Sequence, residues 1–174
     1  MKILAFAASN SKHSINRKLA NYVADLHPSA QVEKLDINDY EMPIYSTERE
    51  AELGQPLLAK QFYAKITQAD ALIISFAEYN GSYSAAYKNL FDWTSRIEQK
   101  LFQNKPTIYL ATSPGAGGAA AVLAAASNSA SHFAADLKAS ICIPSFYKNF
   151  DTDNNQLLDL EIKQCLQDAV LLLG

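Results

Sequence analysis

No stretch of this chain stays apolar for the roughly 20 residues that a membrane-spanning helix needs. The opening apolar segment, Ile3 to Ala8, is also too short for a secretory signal. A soluble, cytoplasmic protein is therefore expected. Cysteine is scarce: Cys142 and Cys165 stand far apart, with no His or Cys at metal-ligand spacing. That pattern excludes a disulfide framework and a zinc site, and leaves two packed thiols. The three histidines, His13, His27 and His132, are scattered over separate segments and read as surface or capping groups. Charge of one sign is missing too, since 15 basic and 18 acidic residues are interspersed for a net −3. Neither nucleic acid nor an anionic membrane would find an electrostatic footprint on such a chain. Repeats, low-complexity tracts and linkers are absent. The 174 residues fit one domain, residues 1–174, long enough to bury about 70% of its unfolded surface.

What the sequence does have is alternation. Apolar runs at Lys2 to Ala8, Gln31 to Ile37, Asp70 to Phe76, Pro106 to Ser113 and Ala139 to Ile143 read as strands. The third, around Leu72, Ile73 and Ile74, shows no polar alternation, as expected of a strand covered on both faces in a parallel sheet. Helical patterns fill the intervals: Ser14 to Leu26, Pro56 to Gln68, Ser84 to Arg96, Gly117 to Asp136 and Leu157 to Leu173. Strand and helix in turn imply an α/β fold, a three-layer α/β/α sandwich around a parallel sheet with right-handed crossovers. Ligands of such sheets bind beyond the carboxyl ends of the strands, which directs attention to the loops after the first, third and fourth.

The first of these loops, Ser9 to Asn16, is rich in hydroxyls and amides and runs into a helix. A phosphate there would meet helix N–H groups together with Ser9, Ser11, Ser14 and Asn16. It lacks the glycines of a P-loop or a dinucleotide fingerprint. As a bare polar loop, it is equally read as a helix cap. In the second, Glu78, Tyr79, Asn80 and Gly81 lead into Ser82 and Tyr83; Gly81 allows a tight exit and close backbone approach, and Ser82 or Ser84 can cap the next helix. This is no Gly-x-Ser-x-Gly elbow, because Asn80 and Ser84 occupy the glycine positions, so a hydrolase is disfavoured. The last, Ser113 to Gly118, carries Gly115, Gly117 and Gly118, which either crowd a planar ligand or simply permit a sharp turn and close helix packing.

The segment Glu78 to Tyr83, followed by Lys88, Asn89, Asp92 and Trp93, resembles the Pro-Glu-Tyr-Asn-Gly-Ser segment and Lys-Asn…Asp-Trp continuation of the NADPH-dependent FMN reductase family. This flavodoxin-like group includes quinone, azo-dye and chromate reductases, and the resemblance covers nearly the whole chain. The family's opening motif, Gly-Ser-x-Arg-x-x-Ser-x-Asn, is met at Ser9, Ser14 and Asn16, while Ala8 and Ser11 depart from it. With Ser11 in the place of Arg, the cations close enough in sequence to compensate are Lys12, His13 and Arg17. Ala77 and Ala120 depart from a Pro and an Arg of the family pattern.

The resemblance implies a five-stranded parallel sheet of order 2-1-3-4-5. It implies FMN as cofactor, NADPH or NADH as cosubstrate, a small-molecule electron acceptor, and a homodimer or a tetramer built from it. Ser9, Ser11, Ser14, Ile15 and Asn16 would surround the phosphate. Glu78, Tyr79, Asn80 and Gly81 would border the flavin ring, with Ser113 and Gly115 near the ring or ribityl chain. No catalytic side chain and no metal is implied, since the cofactor does the chemistry. Two other readings stay open: a flavodoxin-like electron carrier without NAD(P)H activity, and a member that has lost flavin. The helix Ser84 to Ile97, with Tyr87 and Trp93 among its apolar residues, either offers a subunit contact or roofs the core.

Overall fold

The computed structural model describes residues 1–174. In chain order it comprises β1 (Lys2–Ala8), α1 (Ile15–Asp25), β2 (Gln31–Leu35), a 3₁₀ turn (Ile37–Tyr40), α2 (Thr47–Leu53), α3 (Leu57–Gln68) and β3 (Ala71–Phe76). The hairpin β4 (Glu78–Tyr79) and β5 (Ser82–Tyr83) follows, then α4 (Ala85–Ser95), β6 (Lys105–Thr112), α5 (Ala120–Ser129) and β7 (Ala135–Ile143). The chain ends with α6 (Phe146–Asn149), the small hairpin β8 (Phe150–Asp151) and β9 (Gln156–Leu157), and α7 (Leu160–Leu171).

The main sheet runs β2-β1-β3-β6-β7 with every pairing parallel, which is the expected 2-1-3-4-5 order counted over its five strands. Successive side chains of a strand point to opposite faces, and the apolar residues of β1 and β3 divide accordingly. Leu4, Phe6, Leu72, Ile74 and Phe76 pack with Phe62, Trp93 and Val122 from α3, α4 and α5. Ile3, Ala5 and Ile73 pack with Leu19, Val23, Leu166 and Val170 from α1 and α7. Both faces of the central strands are therefore dry, which is why those runs lack polar alternation.

Three sequence expectations change in detail. The alanine-rich helix is much shorter than Gly117 to Asp136: Gly118 and Ala119 take left-handed backbone before it, and Ala135 and Asp136 belong to β7. Pairing of Ala135 with Lys105 and Asp136 with Pro106 overrides the helix propensity of alanine. The last helix starts at Leu160 with Asp159 as its cap, because Leu157 pairs with Phe150 in a hairpin. Cys165 is exposed, while Cys142 is the half-buried thiol that donates to the Gly118 carbonyl at 3.1 Å.

The family-like Asn89 and Trp93 act as a clamp. The Asn89 side chain accepts from Tyr45 N–H (2.8 Å) and donates to the Met42 carbonyl (3.0 Å), while Trp93 Nε1 donates to the Pro43 carbonyl (2.7 Å). A loop without regular structure is thereby tied to α4. Lys88 and Asp92 pair at 2.7 Å on the outer face of that helix.

Among the glycines near the third loop, Gly118 alone is sterically required. Its φ is +59°, and a Cβ there would lie 2.5 Å from Cys142 Sγ and 3.0 Å from the Pro144 nitrogen. We expect Gly118→Ala to lose about 2 kcal/mol of stability through backbone strain and overpacking against β7. Thermal melts should show a midpoint several degrees lower, whereas Gly117→Ala, which meets nothing within 4 Å, should melt within about 2 °C of the parent.

Candidate functional site

The carboxyl ends of β1, β3 and β6 bring three loops together. A cleft of about 250 Å³ opens between them, lined by Ser9, Ser11, His13, Ser14, Ile15, Asn16, Ala77, Glu78, Tyr79, Thr112, Ser113, Pro114 and Tyr147. Eight of the anticipated residues therefore share one space: Ser9, Ser11, Ser14, Ile15, Asn16, Glu78, Tyr79 and Ser113. Asn80, Gly81 and Gly115 lie outside its lining. Asn80 (φ 53°) and Gly81 (φ 75°) form the exposed tip of the β4–β5 hairpin, the left-handed pair that a two-residue type I′ turn requires. The Gly115 carbonyl accepts from Ser145 N–H at 2.9 Å and from Ser113 Oγ at 3.3 Å.

The first loop is organised by its own serines. Ser9 Oγ accepts from Ser11 N–H (3.3 Å), Ser11 Oγ from His13 N–H (3.3 Å), and Ser14 Oγ caps α1 by accepting from Arg17 N–H (3.2 Å). Ser14 also anchors the loop through its N–H to the Ser11 carbonyl at 3.2 Å. The next two N–H groups, those of Ile15 and Asn16, have no acceptor within the chain. Two aligned donors at a helix start, where the dipole favours negative charge, form an anion-binding arrangement.

Asn16 differs from its expected role. The residue is 3% exposed, and both ends of its side-chain amide are bonded within the protein. Oδ1 accepts from Thr112 N–H (3.1 Å) and Ser75 Oγ (2.8 Å), while Nδ2 donates to the Thr112 carbonyl (3.1 Å). The side-chain carbonyl oxygen is thereby committed to the strands, while the backbone N–H stays unpaired at the helix start. Arg17 is turned away as well, with its guanidinium on the Asp36 carboxylate and the Lys12 carbonyl. Of the basic residues adjacent in sequence, His13 reaches the cleft lining, and its ring is free of protein partners.

Glu78 has a fixed task. Its carboxylate accepts from Val122 N–H at 2.9 Å, supplying the cap that Ala119 cannot give to α5. Charge and helix start thus lock the hairpin to the neighbouring helix. Nearby, burial pushes the Cys142 thiol up, with the Glu78 charge adding to it, so the thiol stays protonated. Ser84 fixes the other end of the hairpin: its hydroxyl donates to the Ala8 carbonyl (2.9 Å) and accepts from Tyr87 N–H (3.2 Å), so Ser84 and not Ser82 caps α4.

Sequence reasoning did not single out Tyr147, on α6, Pro114 or Thr112. Tyr147 comes to the cleft from 64 residues beyond Tyr83's neighbourhood only through the β7 crossover, so no local signal pointed to it. The hairpin was not anticipated either, although Asn80-Gly81 between two short polar-aromatic pairs is the signal that could have given it.

Comparison with known proteins bears on the family and the fold. The model of the NADPH-dependent FMN reductase family matches residues 1–147. The chain is 32% identical over 122 residues to an NADPH:quinone oxidoreductase of Arabidopsis thaliana, covering 68% of this chain and 61% of that protein. It is 35% identical over 122 residues to a 2-hydroxy-1,4-benzoquinone reductase of a Burkholderia species, covering 69% and 64%. The matched part thus spans less than two thirds of the length of these relatives. In fold, the chain is similar to a flavoenzyme NAD(P)H:(acceptor) oxidoreductase from Paracoccus denitrificans, with a TM-score of 0.75 over 99% of this chain and 94% of that one at 24% identity.

The buried Asn16 amide joins α1 to β3 and β6, so its loss strands the Ser75 hydroxyl and the Thr112 amide. Asn16→Ala is expected to cost about 2–3 kcal/mol in chemical denaturation. A loss under about 0.5 kcal/mol would mean that the amide does not carry these bonds.

Proposed function

The chain belongs to the NADPH-dependent FMN reductase family, and from that premise we propose that it passes reducing equivalents from NADPH or NADH through bound FMN to a small acceptor. Quinones, azo compounds, metal oxyanions and free flavin are the acceptor classes. The observation that carries this reading is the pair of unpaired N–H groups of Ile15 and Asn16, opening into the same cleft as the uncharged wall of Tyr79 and Ser113. A ligand with an anionic end and a flat, neutral head matches that division.

In this reading the phosphate is held by the Ile15 and Asn16 N–H groups and the Ser9, Ser11 and Ser14 hydroxyls. Glu78, Tyr79, Asn80 and Gly81 border the ring through backbone groups and the Tyr79 face, with Ser113 and Gly115 near the ring or ribityl chain. Bound FMN would supply the hydride chemistry, accepting two electrons from a nicotinamide and releasing them to a second substrate. The residues of the chain bind and orient. Glu78 keeps its carboxylate on α5, and the three serines bond to backbone amides and not to a base. Nothing in the cleft is arranged as an activated nucleophile.

We also place the protein in the cytoplasm as a homodimer, or a tetramer built from it. The contact proposed is the outer face of α5, where Ala121, Ala124 and Ala125 are exposed and permit close helix approach. Tyr87 and Trp93 of α4 cannot contribute, because both are buried in their own subunit.

Anaerobic mixing of NADPH with FMN-loaded protein in a stopped-flow instrument should bleach the flavin absorbance faster than free FMN. Steady-state rates against both substrates should give parallel double-reciprocal lines. Binding of FMN without bleaching by either NADPH or NADH would leave an electron carrier, and intersecting lines would replace the two-step scheme with a ternary complex.

A further inference from the structure

Three basic residues stand close enough in sequence to replace the arginine that the resemblance implies at position 11, and the structure separates them. The Arg17 guanidinium is held by the Asp36 carboxylate and the Lys12 carbonyl, and Arg17 is not part of the cleft lining. Lys12 is exposed and lines a neighbouring cleft of about 310 Å³, but not the one lined by Ser9, Ser11 and Asn16. Only His13 of the three borders that cleft.

The serine at position 11 sets where His13 stands. Its Oγ accepts from His13 N–H at 3.3 Å, and its carbonyl accepts from Ser14 N–H at 3.2 Å. The backbone on both sides of His13 is thereby bonded into the turn that leads to α1. Its ring has no partner in the protein, and the next backbone donors along the chain after Ser14 are the unpaired N–H groups of Ile15 and Asn16. An imidazolium there adds a full charge to the partial charge of the helix start, and an anion gains from both. Unlike a guanidinium, an imidazole gives up that charge near neutrality, ordinarily at about pH 6.5.

We propose that protonated His13 is the charged partner of the FMN phosphate, so that the protein takes up a proton on binding FMN and prefers FMN over riboflavin less as pH rises. The inference rests on the flavin reading of the cleft. A phosphate dianion beside the ring stabilises the imidazolium, so the imidazole holds its proton to higher pH in the complex than in the free protein. Affinity is therefore greatest at the lower pH and falls as pH rises through the value at which the complex loses that proton. A phosphate monoester loses its second proton at about pH 6, so above about pH 7 the imidazole changes charge and the ligand does not. Other titratable groups line the two clefts that His13 borders: Lys12, Arg17 and Lys18 beside it, Glu78 and Tyr79 on the hairpin, and Tyr147 on α6. Asp151 and Asp153 flank Thr152 in the β8–β9 turn. Glu78 bonds to Val122 N–H, and Asp151 to the N–H groups of Asp153 and Asn154. All of them remain when His13 is replaced, so a pH effect that belongs to them survives the substitution.

The test is fluorescence titration of flavin-free protein with FMN and with riboflavin, which lacks the phosphate, at low salt and at about pH 7 and about pH 8.5. FMN should bind about threefold more weakly at the higher pH, the loss expected when the bound phosphate raises the imidazole pKa by about one. Riboflavin affinity should stay constant. His13→Gln should weaken FMN binding about threefold at the lower pH and remove its pH dependence. His13→Lys, whose ammonium stays charged over this range, should keep FMN binding at both pH values. His13 is exposed, and circular dichroism melts would verify that both variants fold. In proton NMR, the His13 ring resonance, identified by its loss in His13→Gln, should titrate at higher pH with FMN bound and be unmoved by riboflavin. FMN affinity that does not change with pH, or that changes equally in His13→Gln, would overturn the proposal and leave the flavin reading intact. Failure of both flavins to bind would remove that reading and the proposal with it.

Discussion

One buried side chain holds the site together. Asn16 stands at the second position of α1, yet its amide lies under the loop and bonds simultaneously to β3 and β6. Because Thr112 N–H can only donate and its carbonyl only accept, the orientation of the amide is fixed by its partners. The helix start is thus positioned relative to two strands by hydrogen bonds in a dry setting, where an unmade bond is costly. Everything that can bind an anion hangs on that point: the Ile15 and Asn16 N–H groups aim where they do because the first turn of α1 cannot swing.

The neighbouring loops are fixed by charge and hydroxyl in a similar manner. Glu78 reaches from the β4–β5 hairpin to cap α5, and Ser84 reaches back to the Ala8 carbonyl at the end of β1. Each contact joins two of the three loops, so the cleft is tied across its width as well as at its base. Such cross-ties preorganise a pocket before any ligand arrives, which lowers the ordering cost of binding.

Much of this was legible in the sequence, and for a physical reason. Strands buried on both faces must be continuous apolar runs, so β1, β3 and β6 stood out, and with them the loops that follow. The edge strand β7 is half exposed, and its opening Ala135 to Leu137 carries the propensity of a helix; only pairing with β6 decides it. The polar loop residues were identifiable as a group, but not their division of labour. A polar side chain beside a helix start looks the same in sequence whether it borders the cleft, as Ser14 does, or bonds within the interior, as the Asn16 amide does. Tyr147 was invisible, since it comes from the segment beyond β7, which docks on the loop after β6.

A serine at position 11, where the resemblance implies an arginine, is intelligible from what the serines do. A hydroxyl that accepts a backbone N–H through a lone pair keeps its own O–H to donate. Ser9, Ser11 and Ser14 each accept one such N–H, so each stabilises the loop and still presents a donor. With the two helix N–H groups, the first cleft can surround an anion by neutral donors, while the helix dipole provides the favourable potential. A guanidinium in that ring would add a strong bidentate partner, but it would also compete with the compact serine turn that shapes it. Positive side chains lie one step outward, where Lys12 and Lys18 line the adjoining cleft and not this one.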